Sequence, residues 1–169
     1  MTEFMERPAD QRKNSPLSQA LLAVAPVMAA ALIGQAFTTP NLAPWYASLV
    51  KPAFNPPNGV FAPVWTVLYA MMAYAFWRVL RAPASGARRS RAATFFLTQL
   101  GLNALWSIAF FGLQNPALGL VVIVALIAMI VATIQDFLAI DPPAALLMAP
   151  YLCWVTFATL LNASIWLLN

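Results

Sequence analysis

The 169-residue chain is 62% hydrophobic and 8% charged, carries a net charge of +4 and contains no histidine. Soluble domains carry about a quarter charged residues, so a water-soluble globule is excluded, and so is a disordered chain. The missing histidine removes His-ligated haem, His-metal centres and Ser-His nucleophiles, and the basic residues cluster in two short segments rather than forming a nucleic-acid-binding face.

Four stretches hold no Asp, Glu, Lys or Arg: residues 14–50, 52–77, 92–135 and 142–169. A hydrocarbon layer of about 30 Å is crossed by about 20 apolar residues in helix. Five spans therefore fit, at 17–37, 59–80, 92–113, 117–140 and 144–168, behind a charged tail at 1–16. No runs of alternating polarity suit a β-barrel. The expected fold is an all-α integral membrane protein, a five-transmembrane-helix bundle. A signal peptide is the competing reading of the first span, but its apolar run of about 20 residues exceeds the usual 7–15.

Turn residues at 114–116 and 141–143 make spans three to five antiparallel neighbours. The segment 81–91 reads as a polar basic loop. Arg7, Arg12, Lys13, Arg81, Arg88, Arg89 and Arg91 then share one side, with Lys51 alone on the other. The positive-inside rule makes the N-terminus cytoplasmic and places the first loop and the C-terminus opposite, in a bacterial cell envelope.

That first loop, 38–57, contains Trp45, Tyr46, Lys51, Pro52, Phe54, Pro56 and Pro57. Prolines stiffen the backbone and remove amide donors. A rigid aromatic flap over the bundle mouth and an interfacial aromatic belt both suit this composition.

Within the spans, Phe61, Trp65, Tyr69 and Met72 share a helical face, as do Asn103, Trp106 and Phe110, and Tyr151, Trp154, Ala158 and Asn162. Plain core packing explains such stripes. However, an indole N–H needs a partner and amides are costly in hydrocarbon, which points to a cavity lined by these faces. A flat aromatic ligand would stack there, with Asn and indole donors at its polar edge. Small-residue pairs at Ala25/Ala29, Ala30/Gly34 and Ala128/Ala132 permit close helix approach, within the bundle or across a dimer. Cys153 reads as a small packing residue. Asp136 is the sole acidic residue in a span, which argues against proton- or sodium-coupled pumping. Proposed cholesterol patterns match at Leu42, Tyr46, Lys51 and at Leu68, Tyr74, Arg78, weakly.

The order of motifs resembles the tryptophan-rich sensory protein (TspO/MBR, translocator protein) family. The matching pieces begin with Trp45-Tyr46-x4-Lys51-Pro52-x-Phe54-x-Pro56-Pro57 and Val60-Phe61-Ala62-Pro63-Val64-Trp65-x2-Leu68-Tyr69. They continue with Gln99-x3-Asn103-x2-Trp106-x3-Phe110-Phe111-Gly112 and Pro150-Tyr151-x2-Trp154-x2-Phe157-Ala158-x2-Leu161-Asn162. The resemblance implies a homodimeric five-helix protein that binds protoporphyrin IX or a related tetrapyrrole, isoquinoline and benzodiazepine ligands, and sterols in animal members. It needs no cofactor or metal. It carries ligand contacts onto Tyr46, Trp65, Asn103, Trp106, Trp154 and Ala158. Gly59 departs from the Trp, and Ala53 from the aromatic or serine, common in the family at those positions, and no basic residue follows the stretch 162–166, which weakens the expectation of a sterol site there.

The expected function is tetrapyrrole binding of a sensory or translocator type, with Tyr46, Phe61, Trp65, Tyr69, Asn103, Trp106, Phe110, Trp154, Ala158 and Asn162 at the ligand. Porphyrin breakdown by redox-active Trp65 and Trp154, and passive transport of porphyrins or sterol-like lipids, need the same cavity and remain the alternatives.

Overall fold

The computed structural model describes residues 15–169; the tail 1–14, with Arg7, Arg12 and Lys13, lies outside them. Five helices are long and apolar enough to cross a membrane. They are α1 (Pro16–Leu42), α2 (Phe61–Arg81), α3 (Gly86–Ser107), α4 (Pro116–Leu138) and α5 (Pro142–Leu168). A π-helical turn, Ile108–Gly112, continues α3, and no strand occurs among the described residues. The chain is an all-helical, five-span integral membrane protein.

Three helices start alike, with a polar capping residue followed by proline: Ser15-Pro16, Asn115-Pro116 and Asp141-Pro142. Proline suits the first helical position because the N–H it lacks would have no partner there. Ser15 accepts from the Ser18 N–H and Asn115 from the Leu118 N–H. Asp141 makes no such bond, because its carboxylate is held by Arg78.

Two boundaries differ from the sequence expectation by more than two residues. The first helix does not stop at Phe37 but runs through Pro40 to Leu42. A proline in the last turn removes one hydrogen bond only, and side chains reinforce that turn: Asn41 Nδ2 donates to the Phe37 carbonyl and Gln35 Nε2 to Thr39 Oγ1. The loop therefore begins near residue 43. The segment 81–91 is not a basic loop either. Ser85 caps α3, so Arg88, Arg89 and Arg91 lie in its first two turns and the connection shrinks to 82–85. Charge marks where the bilayer ends, and a helix can continue past that point.

α1 packs on α2 and α3, α2 on α5, α3 on α4, and α4 on α5, giving the ring order α1–α2–α5–α4–α3. The antiparallel neighbours expected from the short turns, α3–α4 and α4–α5, are the most extensive pairs. Consecutive α2 and α3 meet sparsely; Phe76 stacks on Phe96 at 4.3 Å between ring centroids. Phe137 of α4 stacks on Phe96 at 5.8 Å, and these rings join three helices at the arginine-bearing end. Each such pair is worth about 0.5–1.5 kcal/mol beyond area burial.

At that end Arg78 donates to both oxygens of Asp141, at 2.6 and 3.1 Å, tying α2 to the α4–α5 turn. Arg91 donates to both oxygens of Asp136, at 2.9 and 2.5 Å, tying α3 to α4. Of the small-residue pairs, Ala30 and Gly34 are buried, while Ala25, Ala29 and Ala128 face outward. Cys153 is also exposed on the outer face of α5, contrary to the packing role expected of it, because it falls two positions from both Tyr151 and Val155 of the inward stripe, on the opposite side of the helix.

Candidate ligand-binding site

At the opposite end of the bundle, beneath the first loop, lies a cavity of about 330 Å³. Phe61, Trp65 and Tyr69 of α2, Trp106, Ser107, Phe110 and Phe111 around the end of α3, and Trp154, Ala158, Leu161, Asn162 and Ile165 of α5 form three walls. Ala31, Gly34, Gln35, Thr38, Thr39 and Leu42 of α1 form the fourth, and Tyr46 closes the top. Among the described residues, no charged side chain lines it.

The aromatic rings brace one another. Phe61 meets Trp154 edge-on at 5.9 Å, Trp65 leans on Tyr69 at 5.2 Å, and Trp106 stacks on Phe110 at 5.3 Å. Gly34 lets α1 approach α3 here: a Cβ at that position would lie 3.3 Å from Ser107 Oγ. The π turn keeps the consecutive Phe110 and Phe111 both buried, under the loop.

The loop is tied down over the bundle end. Tyr46 is 3% exposed, packs against Phe110 and Phe111, and donates its hydroxyl to Asn55 Oδ1 at 2.9 Å. Burial pushes its phenol above the ordinary tyrosine value. The Lys51 ammonium lies 4.8 Å from the Tyr46 ring centre and donates to the carbonyls of Ala47 and Leu49. Asn169, at the end of α5, brackets the Val50 peptide, accepting from its N–H and donating to its carbonyl, both at 3.0 Å. Trp45 and Phe54 pack edge-on against Phe110 and Phe157. A tethered flap describes this loop better than a belt of separate interfacial anchors.

The expected contact residues fall as follows. Tyr46, Phe61, Trp65, Tyr69, Trp106, Phe110, Trp154, Ala158 and Asn162 line the cavity. Asn103 does not. It lies beneath the floor, accepting from the Tyr69 hydroxyl at 2.8 Å and donating to the Tyr151 hydroxyl at 3.2 Å. Asn162 reaches the wall, but its amide is engaged: its oxygen accepts from Trp106 Nε1 at 3.1 Å and its nitrogen donates to the Pro116 carbonyl at 2.7 Å. Both amides orient the aromatic walls. The indole N–H groups of Trp65 and Trp154, both on the cavity wall, make no hydrogen bond to another described residue and remain available to a ligand.

Sequence reasoning missed the α1 wall. Ala31, Gln35, Thr38, Thr39 and Leu42 recur at helical spacing, but Pro40 made the last of them look like loop. The cavity is thus defined by a five-span helical bundle, a Trp-rich interior and a tethered first loop.

Residues 22–167 match the TspO/MBR family. A tryptophan-rich protein TspO from Chlorobaculum tepidum is 43% identical over 157 residues, covering 92% of this chain and 99% of that protein. Another of that name, from Archaeoglobus fulgidus, is 44% identical over 151 residues, covering 85% and 92%. The human translocator protein is 35% identical over 123 residues, 72% of this chain and 73% of that one. The chain belongs to the TspO/MBR family.

Proposed function

We propose that this protein binds a flat, conjugated ring system of the tetrapyrrole type, such as protoporphyrin IX, in the cavity under its first loop. The observation that carries the reading is the uncharged cavity of about 330 Å³ walled by Trp65, Trp106 and Trp154. Ligand pockets run from about 300 to 1,000 Å³ and are mostly apolar with a few placed polar groups. This one is at the small end, so a macrocycle held between its walls leaves one edge outside. Smaller fused aromatics of the isoquinoline type fit within it.

Binding suits the site better than active pumping. The paired Arg78, Asp141, Arg91 and Asp136 all lie at the arginine-bearing end, away from the cavity. We place that end in the cytoplasm and the flap on the other side, following the distribution of basic residues.

Titrating purified protein with protoporphyrin IX, in the dark and under illumination, tests the reading. Saturable quenching of tryptophan fluorescence with an unaltered porphyrin spectrum is expected. A new spectral product that disappears in Trp65→Phe or Trp154→Phe would make the protein an enzyme instead, and absence of saturable quenching would sink the assignment.

A further inference from the structure

We infer that ligands enter this cavity sideways, from the lipid leaflet on the flap side, through a gap between the outer halves of α1 and α2; this rests on the ligand-binding reading above. The cavity's exposed wall residues are confined to one side. Gln35 and Thr39 of α1, Ala62 and Thr66 of α2, and Asn58 just before α2 are surface-exposed and line the cavity at once. The wall residues contributed by α3 and α5, and Tyr46 of the flap, are buried or half-buried. Toward the arginine-bearing end the same two helices close together, with Val27, Ala30, Met72 and Ala75 all buried.

The depth of the gap fits a lipid route. At 1.5 Å per residue, Gln35 lies about 10 Å below the end of α1 and Thr66 about 7 Å below the start of α2. A helix the length of α1 spans about 40 Å, against about 30 Å of hydrocarbon, so both positions fall near the outer edge of the acyl-chain region. A glutamine facing hydrocarbon is costly unless it borders a polar or water-accessible space. Gln35 Nε2 donates to Thr39 Oγ1 at 2.8 Å, and its side-chain oxygen accepts from no described residue.

The flap, by contrast, is shut. The bracket of Asn169 on Val50 and the packing of Trp45 and Tyr46 on Phe110 and Phe111 would have to break for a ligand to pass above, while the Tyr46–Asn55 bond and the Lys51 bonds hold the loop's own shape. The lateral route also defines the ligand class. With no charged residue on the walls, an ionised group has no partner inside. The ligand is therefore a lipid-dissolved flat amphiphile, its ring system between the aromatic walls and its ionised edge at the Gln35–Thr39 threshold, level with the headgroups.

The test uses full-length protein carrying Cys153→Ser in phosphatidylcholine vesicles, with protoporphyrin IX delivered from donor vesicles and tryptophan quenching followed in time. Val50→Cys and Asn169→Cys, joined by a short thiol cross-linker, hold the flap closed. Cross-linking should leave association and release within about twofold of the uncross-linked protein, because neither residue lines the path. Thr39→Trp with Ala62→Trp should slow both association and release by about tenfold or more, because a narrowed doorway raises a barrier common to both directions, whereas a contact merely lost at the wall would speed release. Thr39→Leu with Ala62→Leu should give an intermediate slowing, which guards against misfolding of the bulkier pair. Exchange arrested by the cross-link, or rates unmoved by both narrowed variants, would overturn the lateral route while leaving the binding reading intact. No saturable quenching in the parent protein would overturn both.

Discussion

The indole N–H of Trp106 on α3 donates to Oδ1 of Asn162 on α5 at 3.1 Å, linking two helices that are separated by α4 in the ring. That bond fixes the tilt of a cavity wall. Asn162→Leu would remove it and leave an indole donor without a partner, which costs about 1–3 kcal/mol when the site is closed. The variant should melt at lower temperature in detergent and bind porphyrin less tightly. Adding Trp106→Phe should recover part of the lost stability, since the stranded donor goes with it. Strictly additive losses would show that the two residues are not coupled.

Trp154 and Trp77 separate wall from scaffold. Trp154 lines the cavity, whereas Trp77 lies near the other end of α2, stacked on Tyr74 and beneath Arg81. Trp154→Ala should weaken porphyrin binding by up to tenfold, in line with about 0.5–1.5 kcal/mol for an aromatic contact. Trp77→Ala should leave affinity unchanged. Equal losses in a fluorescence titration would put the ligand elsewhere.

The Arg91–Asp136 pair predicts an asymmetry. Asp136 has 8% of its side chain exposed and Arg91 has 62%. Removing the arginine strands a buried carboxylate, whereas removing the carboxylate releases a cation that water can solvate. Arg91→Ala should therefore lower the melting temperature more than Asp136→Asn. The reverse order in a thermal-shift series would contradict the burial seen for the pair.

Two glycines should respond in opposite directions to the same added methyl group. A Cβ on Gly119 would lie 2.9 Å from Asn162 Oδ1 and 3.1 Å from Phe110, whereas one on Gly101 would meet nothing within 4 Å. Gly119→Ala should cost about 1–3 kcal/mol through overpacking and disturb the wall behind Trp106. Gly101→Ala should be neutral or gain about 0.5–1 kcal/mol from helix propensity. Destabilisation by Gly101→Ala would reveal a second copy of the chain packed against that face.

Orientation can be read from thiol accessibility in a Cys153→Ser background. Ala47 is exposed on the flap and Ala87 is exposed in the first turn of α3. Ala47→Cys should react with an impermeant maleimide added to intact cells, and Ala87→Cys should be protected. The opposite pattern would invert the topology.

Much of the fold was legible because the bilayer imposes a coarse rule: charge-free runs of spanning length become helices. The rule is blind to where helices end. It cut α1 short at Phe37 and turned the start of α3 into loop, since Pro40 and the arginines register as breaks whether or not the backbone continues. The aromatic faces of α2, α3 and α5 were visible as helical stripes of large rings. The α1 wall was not, because Ala31, Gly34 and Thr38 are too small and mild to announce a surface. Nor could spacing reveal that Asn103 and Asn162 spend their amides on Tyr69, Tyr151, Trp106 and Pro116, since partners on other helices are a property of the packed bundle.

The ring order has a consequence for biogenesis. One of the two neighbours of α2 in the ring is the last helix of the chain, and Arg78 meets its carboxylate only at the turn that leads into that helix. During synthesis, Phe61 must wait for Trp154, and Arg78 for Asp141, until the turn into α5 and α5 itself have been threaded. A chain truncated before residue 142 would leave an open, four-stave bundle with part of its aromatic lining turned to lipid. Such a nascent chain would be a ready substrate for membrane quality-control proteases, and only insertion of the final hairpin would close the protein to them.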